Sequence, residues 1–314
     1  MKKHLRSNLL YTLSFLIIFG PLCYLLYDYV LDFALPPVPA KEALSETNTV
    51  RISANRNFSN IDEHAEKVTV LMYHQIIPES QLKKQHFTDT GELVDMVVTL
   101  EEFSDQMKYL KQQNFTILSL KEFELFMTNK MKVPPKSVLI TFDDGYKNVF
   151  KFAYPVLQKH GFYAVHFIIT ELITNRTVKY DSSYLQYASI DEVVKAADVF
   201  DYGNHTHSLH HRNKNGKSFL VVYSRDKIKK DLVKANKWLG RSTAFAPPFG
   251  EYTTSTLKIL KDLNIEMAFT VDPGYAEPSQ HILEIPRQLI YPFYDIEDFK
   301  YIVEQKIDYH IQLN

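Results

Sequence analysis

The sequence predicts a parallel α/β architecture wound as a single (β/α) barrel. Three observations predict it. From Val68 onward short apolar runs alternate with amphipathic ones, the pattern of strand–helix repeats over a parallel sheet. Residues 68–314 are enough chain for one barrel. An acid pair, a histidine cluster and a Pro-Pro-Phe-Gly segment each fall at the C-terminal end of a predicted strand, and that end of a βα barrel carries the chemistry. Periodicity alone does not separate a barrel from an open doubly wound sheet.

The elements follow in order. VTVLMYH (68–74) reads as a strand. Thr99 with Glu102, Ser119 with Glu122 and Ser189 with Glu192 have capping-box spacing and start helices. FTIL (115–118), SVLITFDD (137–144), YAVHFII (163–169) and VFDYGNH (199–205) are strands. A helix after Asp144 runs to His160, with Gly161 as its C-terminal stop. Residues 227–239 form a helix ending at Gly240, and 255–263 another. FAPPFG (245–250), EMAFTV (266–271) and ILEIPRQLI (282–290) end the strand set, and 295–304 is the last helix.

The N-terminus sets the expected compartment. Leu9 to Tyr27 carry no charge over 19 residues, close to the ~20 that cross a bilayer as a helix. Lys2, Lys3 and Arg6 precede them, so the positive-inside rule puts residues 1–8 in the cytoplasm. The expected organisation is a cytoplasmic tail (1–8), a transmembrane anchor (9–30), an extracellular stalk (31–67) and one domain (68–314). A cleaved signal peptide is the competing reading, but its apolar core is shorter and a small-x-small site follows it. The protein is then expected at the cell membrane, single-pass, with its domain outside.

With 36 basic and 37 acidic residues the formal charge is −1, which gives no electrostatic basis for binding nucleic acid. The single cysteine, Cys23, excludes an internal disulfide framework.

Asp143 and Asp144 follow the apolar run SVLITF. Adjacent carboxylates at a buried strand end repel unless a cation or a proton resolves the conflict. One can ligate a metal while the other stays free as a base. The plain alternative is an Asp-Gly turn capping the next helix. Four of the 12 histidines lie between His205 and His211. Two imidazoles and one carboxylate suit a zinc-like ion with positions left open. Spacing leaves two pairs open, His205 with His210 and His207 with His211.

TFDD, the His-Thr cluster and the PPFG segment together resemble polysaccharide deacetylases of the NodB-homology type, carbohydrate esterase family 4. The motif order LMYH, TFDDGY, GNHTHSLHH, APPFG, DPG, IPRQLI is similar to the branch that deacetylates poly-N-acetylglucosamine in biofilms. The resemblance covers Val68 to Tyr301 and implies a distorted (β/α) barrel. It implies Asp143 as general base and Asp144, His205 and His210 as metal ligands. It implies His74 as general acid, and Pro248 and Phe249 lining the groove, with the Phe249 N–H facing the oxyanion. Two departures stand out: Ala246 occupies the place of an arginine that steadies the base, and IPRQLI lacks a catalytic histidine. His74 supplies the second function, and Arg287 is a candidate for orienting Asp143. Tyr146 and Tyr202, beside the ligands, are candidates for substrate contact.

The implied activity is metal-dependent hydrolysis of N-acetyl groups from an extracellular N-acetylglucosamine polymer. Zinc is the first choice of metal, with nickel, cobalt or iron(II) as alternatives. The rival enzymatic reading is a peptidoglycan deacetylase using the same residues. A rival from another class is a non-catalytic, membrane-tethered glycan-binding protein.

Overall fold

A computed structural model describes residues 19, 56–58, 60–240 and 242–307. The expected tail (1–8), the anchor (9–30, Phe19 apart) and the stalk up to residue 55 lie outside the described residues. Among the described residues, no helix is long and apolar enough to cross a membrane.

The strands are β1 (Thr69–Tyr73), β2 (Gln75–Ile77), β3 (Val97–Thr99), β4 (Thr116–Ile117), β5 (Ser137–Phe142), β6 (Ala164–Ile168), β7 (Phe200–Asn204), β8 (Ala244–Phe245), β9 (Met267–Ala268) and β10 (Gln288–Leu289). The helices are α1 (Leu100–Gln112), α2 (Leu120–Met127), α3 (Tyr154–His160), α4 (Ile190–Lys195), α5 (Phe219–Val222), α6 (Arg225–Trp238), α7 (Thr254–Asp262) and α8 (Ile296–Val303). The main sheet has the order β10-β1-β5-β6-β7-β8-β9, with β4 beside the start of β5. Every pairing in it is parallel. It curls strongly: Phe269, just past β9, bridges to Ile285, just before β10. The sheet is parallel throughout, as the strand–helix alternation predicts, but it is a curled half-barrel and not the complete (β/α) barrel expected: β9 and β10, two residues each, are joined among the described residues only by that bridge.

Side chains alternate across this curl as the two-residue period of a strand requires. Val70, Leu139, Val165, Phe167, Ala244, Ala246, Met267, Phe269 and Ile285 form one buried cluster on the inner face, with Phe123 and Phe126 of α2 packed into it. Their strand neighbours Leu71, Tyr73, Ile140, Phe142, Ile168 and Phe200 face outward, against Phe103 and Met107 of α1, Val193 of α4 and Phe299 of α8. A third cluster seats α6 and α7 on Phe245 and Ala268.

The predicted caps form. Thr99, Ser119 and Ser189 each accept from the backbone N–H three residues on, and the glutamate there accepts from the cap's own N–H. Losing one such cap costs about 1 kcal/mol. Gly161 ends α3 with φ 68°, the left-handed conformation that glycine adopts without penalty. The predicted helix up to His160 starts as a π-helical turn, Val149–Ala153, and becomes α3 only at Tyr154. The two-stranded parallel pair β2–β3 is an addition to the predicted set.

Within the stretch expected as stalk, the described residues lie on the domain. Arg56 donates from Nε to Glu122 at 2.8 Å and from Nη2 to the Ile117 carbonyl at 2.6 Å. The Ala65 N–H donates to the Val133 carbonyl at 2.8 Å.

Candidate active site

The inner-face parity carries the chemistry to the rim. Positions 70 and 72 on β1 lead to His74; 139 and 141 on β5 lead to Asp143; 203 on β7 leads to His205; 285 leads to Arg287. Tyr73 pairs with Phe142 and the Asp143 N–H donates to the Tyr73 carbonyl at 3.1 Å. His74 and Asp143 are therefore neighbours at the ends of adjacent strands. Asn204 pairs with Phe245, which sets His205 beside Ala246. A Cβ on Gly203 would lie 2.2 Å from the Phe167 ring, so only glycine lets β7 and that ring share the inner face.

Three groups converge. The ligand atoms of Asp144, His205 and His210 lie within 4.8 Å of one another. Asp144 Oδ1 stands 3.3 Å from His205 Nε2 and 3.2 Å from His210 Nε2. His205 Nδ1 donates to the Ala246 carbonyl at 2.7 Å, which leaves Nε2 as the atom that faces Asp144 and fixes the ring's orientation. Both Asp144 oxygens are buried without a partner in hydrogen-bond geometry among the described residues. A buried carboxylate so placed is costly unless a cation completes it. This donor set, one carboxylate and two imidazole nitrogens, fits a divalent cation.

His207 and His211 do not join them. Thr206 has φ 71°, and this turn sends His207 away from Asp144. Its Nδ1 instead lies 2.9 Å from Thr170 Oγ1 and its Nε2 3.9 Å from Glu171. His211 contacts Phe219, ring centroids 5.7 Å apart. Of the two pairs left open by spacing, His205 with His210 is the one that faces Asp144.

Asp143 has a different environment. Arg287 Nη1 and Nη2 each donate to one of its oxygens at 2.8 Å. The Arg287 side chain is fully buried and anchored by Nε to the Thr270 carbonyl at 2.8 Å and by Nη1 to Thr141 Oγ1 at 3.2 Å. Burial pushes the Asp143 carboxyl up, but the Arg287 charge and hydrogen bonds outweigh it and hold it below its usual range. For Asp144, burial again raises the pKa, and the two imidazoles beside it bring it well below. Burial lowers the His74 pKa, and the charges of Asp143 and Asp144 only partly offset this. His74 Nδ1 is buried without a partner among the described residues.

Phe249 lies at the rim, with φ 60° and its ring centroid 4.4 Å from that of His210. Asp144, Thr206 and Phe249 all hold the left-handed region, which is costly for side chains other than glycine and gathers at functional sites. Tyr146 is buried; burial first, then the Asp144 charge, raises its pKa, so its hydroxyl stays protonated beside that carboxylate. Tyr202 departs from its expected substrate contact. It is an outward-facing core residue whose hydroxyl donates to the Val193 carbonyl at 2.6 Å. Sequence reasoning also passed over Thr141, Arg212 and Glu251. Thr141 had a signal: it is the inner-face position next to Asp143.

A polysaccharide deacetylase family profile matches residues 130–268. A poly-beta-1,6-N-acetyl-D-glucosamine N-deacetylase of Staphylococcus aureus is 30% identical over 227 residues, 70% of this chain and 77% of that one. The protein of the same name from Staphylococcus epidermidis is 29% identical over 270 residues, 82% and 92% of the two chains. Among solved structures, the Streptococcus pyogenes deacetylase PplD in complex with acetate has TM-score 0.63 at 23% identity, covering 76% of this chain and 98% of that one. IcaB from Ammonifex degensii has TM-score 0.62 at 23% identity, covering 76% and 97%. The profile spans both the acid pair and the histidine cluster, and the relatives extend over most of the curled sheet that presents them; this chain belongs to the polysaccharide deacetylase family.

Proposed function

We propose that the protein hydrolyses N-acetyl groups of an extracellular poly-β-1,6-N-acetylglucosamine, releasing acetate and leaving free amines on the polymer. The observation that carries this reading is the pairing of two unlike carboxylates at one rim. Asp144 faces two imidazoles and Asp143 faces a guanidinium. The relatives' name supplies the substrate class.

Asp144, His205 and His210 hold the metal, with zinc the first choice. When bound, a divalent cation supplies Lewis acidity toward the acetyl oxygen and makes water a nucleophile near neutral pH. Asp143 stays ionised and accepts the water's proton as the amide carbon is attacked. Arg287 fixes both oxygens of Asp143, so the base meets the water in one orientation. The Phe249 N–H is offered to the developing oxyanion, a donor worth about 3 kcal/mol in comparable sites. His74 donates a proton to the departing sugar nitrogen. Pro248 shapes the groove wall, and Tyr146, its hydroxyl protonated beside Asp144, is offered to the substrate.

The domain is carried outside the cell by the N-terminal segment 9–30, whose residues 9–27 are uncharged, followed by a stalk. The biofilm polymer is favoured over peptidoglycan because the histidines that meet Asp144 are five residues apart and because His74 lies beside Asp143. The test incubates the full-length protein with β-1,6-linked N-acetylglucosamine oligomers and with peptidoglycan, with and without a chelator, and measures free amine and acetate. The reading expects chelator-sensitive release from the β-1,6 oligomers. Faster release from peptidoglycan would give the function to the cell wall. Glycan retention without acetate would make the protein a binding module.

A further inference from the structure

The two loops that meet at the metal site are tied by one side chain outside it. His210 is followed by a small hairpin in which Arg212 bridges to Ser218 and the Asn213 N–H donates to the Lys217 carbonyl at 2.8 Å. Glu251, two residues past Phe249, grips both strands of that hairpin. Its Oε2 accepts from the Ser218 N–H at 2.9 Å and its Oε1 accepts from Arg212 Nη1. Arg212 in turn donates to the Gly216 carbonyl and places its guanidinium carbon 4.1 Å from the Phe249 ring centroid. The Phe249 ring contacts His210 as well. One carboxylate thus joins the loop after β8 to the loop after β7, with Phe249, in its left-handed conformation, between Arg212 and the third metal-facing group.

We propose that Glu251, paired with Arg212, is the positioning residue that holds the Phe249 loop against the His210 loop. This rests on the hydrolytic reading above. Glu251 touches no reacting atom. Without it the hairpin and the Phe249 turn lose their shared anchor, and the backbone at Phe249 is free to leave its strained conformation. The same release loosens His210 relative to Asp144. A displacement near 1 Å in such a site costs as much as ~100-fold in rate.

The test compares E251A, E251Q and R212K with the wild-type full-length chain. It records kcat and KM at saturating metal, Co²⁺ affinity from the visible absorption of the bound ion, and thermal midpoint. E251A is expected to lower kcat at least about tenfold, with a smaller change in KM, and to weaken Co²⁺ binding several-fold. E251Q still accepts from the Ser218 N–H but loses the charge opposite Arg212, and falls between. R212K keeps the charge without the planar fork and resembles E251Q. R225A is the control. It breaks the surface pair of Arg225 with Asp262, 2.6 Å long and similarly exposed, and should leave kcat and Co²⁺ binding unchanged. The proposal is overturned if E251A stays within twofold of wild type in both kcat and Co²⁺ affinity. If E251A fails to fold, E251Q and R212K decide by the same criterion. Should the wild type release acetate from no glycan, the hydrolytic reading fails, while the Co²⁺ comparison still decides for or against the clamp.

Discussion

Arg287 binds Asp143 with two parallel hydrogen bonds of 2.8 Å, across 144 positions of sequence, in a site where both side chains are buried. The guanidinium is also held by Thr270 and Thr141, so the carboxylate it grips has a fixed position. Removing one partner of such a pair leaves a buried charge without compensation, which costs about 3–5 kcal/mol. R287A should therefore lose stability on that scale in denaturant titrations and lose turnover with it. R287K should stay folded yet turn over at least ~10-fold slower, since an ammonium lacks the planar fork that fixes both oxygens while also bonding Thr270 and Thr141. Turnover of R287K equal to wild type would remove Arg287 from its orienting role.

The two adjacent aspartates should separate cleanly by substitution. D144A takes one of three converging groups from the metal site, and metal content measured after dialysis should fall with activity. D143N leaves those groups untouched and should retain metal while kcat drops by about 10²–10⁴. A D143N protein that deacetylates normally would transfer the base role elsewhere.

His166 carries an acid-sensitivity that the reaction does not use. It is fully buried among Phe142, Phe150 and Phe200, and neither ring nitrogen has a hydrogen-bond partner among the described residues. Burial pushes its pKa from the ordinary 6.5 down to about 4, with the nearby Asp143 charge resisting. The folded pKa lies below the unfolded one. The unfolded chain therefore binds the proton first, and the folded state loses ground as pH falls from 6.5 toward 4. The full loss is about 3 kcal/mol. The depressed Asp143 and Asp144 carboxyls act in a lower window, below their unfolded values near 4. H166F should flatten the fall in thermal midpoint between pH 7 and 4.5. An unchanged slope would refute the assignment.

Gly250 should not tolerate a side chain. Its φ is 70°, and an added Cβ would lie 2.3 Å from Val271 Cγ2. G250A forces either Val271 or the Phe249 turn to move. Its kcat should fall at least ~10-fold while metal content, which depends on other residues, stays near that of wild type. Full activity in G250A would mean that the turn's geometry is unimportant to the reaction.

Much of this was readable in the residues because local rules govern it. The apolar run before Asp143 and Asp144 can only be a buried strand, so the acids had to emerge at its end. The capping pairs marked three helix starts. What escaped depended on distant chain. β2 and β3 are three residues each and exist only because they meet. The π-helical turn at Val149–Ala153 leaves no periodic signature distinct from a helix. The choice between His205 with His210 and His207 with His211 turned on the backbone angle of Thr206, which spacing does not encode. Arg287 entered as a candidate through the missing arginine at position 246. Its bidentate grip on Asp143 required the curl that brings the segment before β10 across to β5. Tyr202 was misjudged because its neighbour in sequence, two residues before His205, faces the opposite side of β7.

The account stands on one cation shared by Asp144, His205 and His210. The most direct measurement is anomalous diffraction at the zinc edge from crystals of the protein grown with zinc. The account predicts a single strong peak about 2.0–2.2 Å from an Asp144 oxygen and from Nε2 of His205 and His210. A catalytically active crystal with its zinc bound elsewhere, at His207 or His211 for example, would contradict it.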